Sequence, residues 1–114
     1  MNRKSEELNH IIDTVLHCCQ TKVSEDGPVP FSREDVMGAS RSVPLVMTRC
    51  LLASHLLAAG YSVATIASVM QKTTAGIRNL LRLGQTYHRT SRAYRIAEEE
   101  ANDLLSQSNA NQGL

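Results

Sequence analysis

Between Lys72 and Arg82 the chain reads Lys-Thr-Thr-Ala-Gly-Ile-Arg-Asn-Leu-Leu-Arg, a set of side chains suited to gripping a polyanion. At helical spacing Ile77, Leu80 and Leu81 turn one way, while Thr73, Thr74, Ala75, Arg78, Asn79 and Arg82 turn the other. Threonines at a helix start can bond phosphates or base edges and touch thymine methyls. Arg78 carries the planar fork that matches guanine, and Asn79 the amide that matches adenine. Lys72 and Arg82, with Arg49 further upstream, suit phosphate oxygens. The chemistry on offer is recognition rather than bond-making.

The charge distribution points the same way. Residues 1–35 carry a net −3, residues 36–97 carry eight Lys/Arg and no Asp or Glu, and residues 98–114 carry −4, leaving +1 overall. A 62-residue stretch without one acid, between acidic ends, is a segregated field suited to a polyanion such as double-stranded DNA. A basic face that met only water would ordinarily be interspersed with acids. RNA fits less well, because sequence-reading RNA modules stack bases on aromatics, and this region offers only Tyr61, Tyr87 and Tyr94.

These residues need a scaffold, and the spacing predicts an all-α one. Leu8, Ile11, Ile12, Val15, Leu16 and Cys19 place an amphipathic helix over Glu6–Gln20. "VSEDGPVP" is a loop. Ser32 caps a short helix with Asp35 three residues on, Phe31 is placed to staple onto Val36, and Gly38 ends it. The longest apolar helix runs from about Pro44 to Ala59, with Leu45, Met47, Leu51, Leu52, Leu56 and Leu57 covering much of its circumference, and Gly60 terminates it.

Ser62 caps a helix through Met70, and Thr73 or Thr74 caps the next, which runs to Leu83, where Gly84 either breaks it or lets it continue into the following segment. Leu80, Tyr87, Tyr94 and Ala101 recur every seven residues, predicting a further helix to about Gln107. The expected architecture is a five- to six-helix bundle with a long C-terminal helix. It forms one domain over 1–107, and 108–114 make a disordered tail.

Ser62–Met70 and Thr73–Leu83 together have the form of a helix-turn-helix. Ile66, Ala67, Met70, Ile77, Leu80 and Leu81 supply the internal contacts, and Ile77 follows Ile66 by the eleven residues usual for that motif. The joint departs from the usual pattern, since Gln71-Lys72 stands where a glycine is expected.

With these elements in place, Phe31 to Met70 resembles the C-terminal DNA-binding domain of the bacterial replication initiator DnaA, a Trp-repressor-like helix-turn-helix fold. Gly38-Ala39-Ser40-Arg41 matches the segment after that family's short helix. Thr48-Arg49-Cys50 matches the arginine of its long helix, and Ser62–Met70 the first helix of its motif. "LNHIIDTVLHCCQ" is similar to the helix that opens that domain. The resemblance implies that Arg41 enters the minor groove beside the motif, and that Lys72, Thr73 and Thr74 stand near groove and phosphate contacts. "MQKTTAG" lacks the Gly, Arg, Asp and His of the family's Gly-Gly-Arg-Asp-His-Thr-Thr-like turn, so the expectation is DNA binding without that family's origin box. No GxxxxGK[ST] occurs, which removes the initiator's ATPase role from this chain.

Other chemistries find little support. No Ser-His-Asp, Cys-His or paired-carboxylate arrangement has the spacing of a catalytic site, so an enzyme is not expected. Glu98-Glu99-Glu100 reads as a solvated face, with folding back over the basic region as the alternative. His17-Cys18-Cys19 lacks CxxC spacing, so the three cysteines are expected as buried free thiols, with no metal and no cofactor. No apolar run reaches the roughly 18 residues of a membrane span, and "MNRKSEEL" is not a signal peptide, so a cytoplasmic protein is expected. The competing function is a helical protein–protein interaction module without DNA binding. It would use the Tyr87, Tyr94 and Ala101 stripe of the C-terminal helix, for which core packing is the favoured alternative; a homodimer would form through the same helix.

Overall fold

Apolar residues at helical spacing become six helices, with no strand among the described residues. The computed structural model describes residues 3–22 and 31–112: α1 (Arg3–Lys22), α2 (Arg33–Met37), α3 (Val43–Ala58), α4 (Val63–Met70), α5 (Thr74–Thr90) and α6 (Arg92–Gln112). The "VSEDGPVP" loop lies outside the described residues.

The most apolar segment takes the centre. Helix α3 packs against all five others, and Thr48, Cys50, Leu51, Leu52, Ala53 and Leu56 are fully buried on it. Pro44 sits in its first turn, and its carbonyl oxygen accepts from the Thr48 hydroxyl at 2.7 Å. Leu57 was expected in the core but is exposed, because it falls on the side of the last turn that no other helix covers. On one flank α1 buries Ile11, Ile12, Val15, Leu16, Cys18 and Cys19 against α3 and α6. All three cysteines are buried and none is in a disulfide.

Local signals set most of the boundaries. The Ser32 hydroxyl accepts from the Asp35 N–H at 3.2 Å while the Ser32 N–H donates to the Asp35 carboxylate at 2.8 Å, closing a capping box. Phe31 and Val36, the expected staple, are both buried. Helix α3 ends on Gly60 at φ 101°, with the Tyr61 N–H returning to the Leu56 carbonyl. That left-handed turn suits glycine, which has no Cβ to clash.

Two boundaries differ from expectation. Gly84 does not break α5; it is buried in mid-helix, where an added Cβ would stand 2.9 Å from the Tyr94 hydroxyl and 3.4 Å from Cys50 Cβ. It is the point at which α5 is pressed closest to α3 and α6. The break comes at Ser91, which is extended and caps α6 through the Tyr94 N–H at 3.1 Å. Helix α6 then continues to Gln112, so the boundary drawn at Gln107 falls inside a helix.

Candidate nucleic-acid interface

The joint between α4 and α5 closes without glycine. Ile66, Ala67 and Met70 from α4 meet Ile77 from α5 in the core. Gln71 takes the left-handed conformation itself, at φ 58° and ψ 43°. Its N–H donates to the Ser68 carbonyl and that of Lys72 to the Ala67 carbonyl, the paired bonds of a Schellman turn. A non-glycine residue held there costs about 1–2 kcal/mol, which the buried contacts on both sides must offset.

Beyond the turn, Thr73 is the N-cap of α5, its hydroxyl accepting from the Gly76 N–H at 3.0 Å. Thr73 therefore fixes where the helix starts, and Thr74 and Ala75 are the exposed residues of its first turn. Their N–H groups precede the first intrahelical bonds and stay open to an acceptor. Arg78, Asn79 and Arg82 follow on the same outward side, all exposed. Arg82 donates to the Asn79 side-chain oxygen at 2.6 Å, so that oxygen is shared before any ligand arrives.

The remaining basic residues divide. Arg41 is exposed in the loop between α2 and α3, as an outward contact requires. Arg49, expected on phosphates, is not available: it is only 5% exposed, and its guanidinium donates to the carbonyls of Val36, Asp35, Gly38 and Ser40. It closes the C-terminal end of α2, whose carbonyls have no helical partner of their own. Burial pulls its pKa below the ordinary arginine value.

Lys72 is half-buried, and its ammonium donates to the Gly38 carbonyl at 2.7 Å and the Met37 carbonyl at 3.4 Å. Burial, and then the nearby Arg49 charge, lower its pKa. Its first role is structural. Two cations thus converge on the end of α2 and hold the Arg41 loop against the α4–α5 turn.

The same face of α5 continues further than its sequence motif suggested. Gln85 and Arg89 are exposed, and they stand seven and eleven residues after Arg78, close to whole helical turns. A helix ended at Gly84 excludes them from this face, whereas the continuous helix brings them onto it. For Arg49 the available signal was its place among Met47, Cys50, Leu51 and Leu52, in the longest buried run among the described residues.

The tyrosine stripe lies mostly in the interior, with Tyr87 half-buried at its edge. Tyr94 is 1% exposed and Ala101 fully buried, and the Tyr87 and Tyr94 rings stack with centroids 5.8 Å apart. Beside them a cleft of about 360 Å³ is lined by Ser54, Gly84, Gln85, His88, Arg89, Tyr94 and Glu98. Its polar groups are partly engaged: the Ser54 hydroxyl donates to the Cys50 carbonyl, and the His88 ring meets the Glu98 carboxylate at 2.7 Å. Among the described residues no three His, Cys, Asp or Glu side chains are grouped to hold a metal ion, and no helix is long and apolar enough to cross a membrane. Compared with known families, with curated proteins and with solved structures, the chain finds no match.

Proposed function

We propose that the protein is a sequence-selective double-stranded DNA-binding protein, acting as a transcription or replication accessory factor in the manner of a DnaA C-terminal domain. The N-terminal half of α5 enters the major groove, where Thr74, Ala75, Arg78 and Asn79 meet base edges and Arg82 meets phosphate. Arg41 reaches the neighbouring minor groove from the loop that Lys72 and Arg49 anchor.

One observation carries this reading. The exposed face of α5, preceded by a tight left-handed turn and a threonine cap, presents basic and short polar side chains and no acid. Selection from random duplexes, followed by retardation at low and high salt, tests it. Enrichment of a short motif and a steep loss of affinity with salt are expected; failure to enrich any motif overturns it. Of the stripe that the competing interaction module would use, Tyr94 and Ala101 pack in the core and Tyr87 is half-buried.

A further inference from the structure

We propose that the contact with the duplex runs the length of α5, with Gln85 and Arg89 engaging phosphates on the far wall of the groove that Arg78 reads. This rests on the reading of α5 as the recognition helix. Arg78, Arg82, Gln85 and Arg89 are all exposed and follow one another at four, three and four residues, within a narrow arc of the helix. The opposite side of the same turns carries Ile77, Leu80, Gly84 and Tyr87, which pack inward.

Length decides what the far end meets. At 1.5 Å per residue, Arg89 lies about 17 Å along the axis from Arg78, whereas the major groove is about 12 Å wide. A helix whose first turns reach base edges therefore brings Arg89 to the phosphate ridge rather than to another base. Gly84 permits this reach, since α5 passes over Tyr94 and Cys50 without a break.

A helix C-terminus ordinarily repels phosphate through its unpaired carbonyls. Here the Arg95 guanidinium donates to the carbonyls of His88 and Arg89 at 3.0 and 3.2 Å, covering that negative end with a positive charge. Glu98, the nearest acid in sequence, is turned to His88. Among the described residues no acid pairs with Arg78, Arg82 or Arg89. The far end of α5 is thus a basic, ordered helix end with a free guanidinium.

The test uses the full chain, the duplex chosen by selection and an unrelated duplex, with affinity measured across a salt series for wild type, R89Q and Q85E. R89Q is expected to flatten the slope of log affinity against log salt by about one, and to weaken both duplexes by about eightfold at roughly 0.1 M salt. Q85E is expected to weaken both further by repulsion, and neither variant changes the ranking of base substitutions. If wild type binds a selected duplex but R89Q keeps its full salt slope, the extended contact is refuted while the recognition reading stands. If R89Q instead changes base ranking, the phosphate assignment is refuted. If wild type binds no duplex at any salt, the recognition reading itself fails and takes this one with it.

Discussion

The ammonium of Lys72 donates to the carbonyl oxygen of Gly38 at 2.7 Å, joining the α4–α5 turn to the end of α2 across 34 residues of chain. The residue just before the α5 cap therefore also fixes the start of the loop that carries Arg41. The start of α5 and the Arg41 loop are held as one unit by the Lys72 ammonium and the Arg49 guanidinium.

Lys72→Gln is accordingly expected to act on stability before it acts on phosphate. Losing a partly exposed charged hydrogen bond costs about 1–2 kcal/mol, read as a lower melting temperature. The salt slope of DNA binding should change by less than one. A full-unit loss of slope at unchanged melting temperature would instead make Lys72 a phosphate contact.

Arg49 should be far less tolerant. Arg49→Met strands four carbonyls that the guanidinium now serves, and Arg49→Lys restores only part of that fork. Urea denaturation is expected to show a loss of at least about 3 kcal/mol for Met and a smaller loss for Lys. Near-wild-type stability in both would mean that the α2 end is held by something else.

Much of this architecture was legible in local spacing. The Ser32, Ser62 and Thr73 caps and Gly60 mark helix ends that follow from neighbouring residues alone, and the α3 core follows from an apolar run. What escaped was non-local. Gly84 has the same sequence signature whether it ends a helix or lies beneath a tyrosine, and Tyr94 packs there only once α6 has folded back. The partners of Lys72 and Arg49 are carbonyls, which carry no mark in the side-chain sequence. Arginine chemistry suggested phosphate for Arg49, whereas burial assigned it to the backbone.

The α4–α5 turn offers a stabilising change. Gln71 occupies a left-handed conformation that glycine adopts without steric cost, at φ 58°. Gln71→Gly is expected to stabilise the fold by about 1 kcal/mol, after the extra entropy of the unfolded chain is counted. In a domain of this size that is a rise of roughly 4 °C in melting temperature. A fall would show that the Gln71 side chain makes a contact worth more than the strain.

The buried thiols give a pH dependence of definite sign. Burial pushes Cys19 and Cys50 from 9.0 up to about 12, against smaller opposing effects from the Thr48 hydroxyl on Cys19 and the Arg49 charge on Cys50. Above pH 9 the unfolded chain releases thiol protons that the folded chain keeps, so the unfolded state binds fewer protons and stability falls as pH rises. Each thiol contributes at most about 1.4 kcal/mol per pH unit in that window. Melting temperatures from pH 8 to pH 11 should fall less steeply in Cys19→Ala/Cys50→Ala than in wild type, while burial of the Tyr94 hydroxyl keeps a residual fall of the same sign. An identical slope in both proteins would exclude the thiols as its source.

Arg78 and Arg82 should separate base reading from phosphate contact. Arg78 is exposed with no partner among the described residues, whereas Arg82 is bonded to the Asn79 oxygen, the atom through which Asn79 would accept from adenine. Arg78→Ala is expected to cost about 1–3 kcal/mol on the selected site and little on unrelated duplexes, flattening the preference at one base pair. Arg82→Ala should weaken every duplex and lower the salt slope by about one, while freeing the Asn79 oxygen and sharpening discrimination at the adjacent position. The measurement is affinity for the selected duplex and each of its single-base variants. Equal loss on every duplex for Arg78→Ala would remove it from base reading and leave α5 a helix that grips DNA without choosing its sequence.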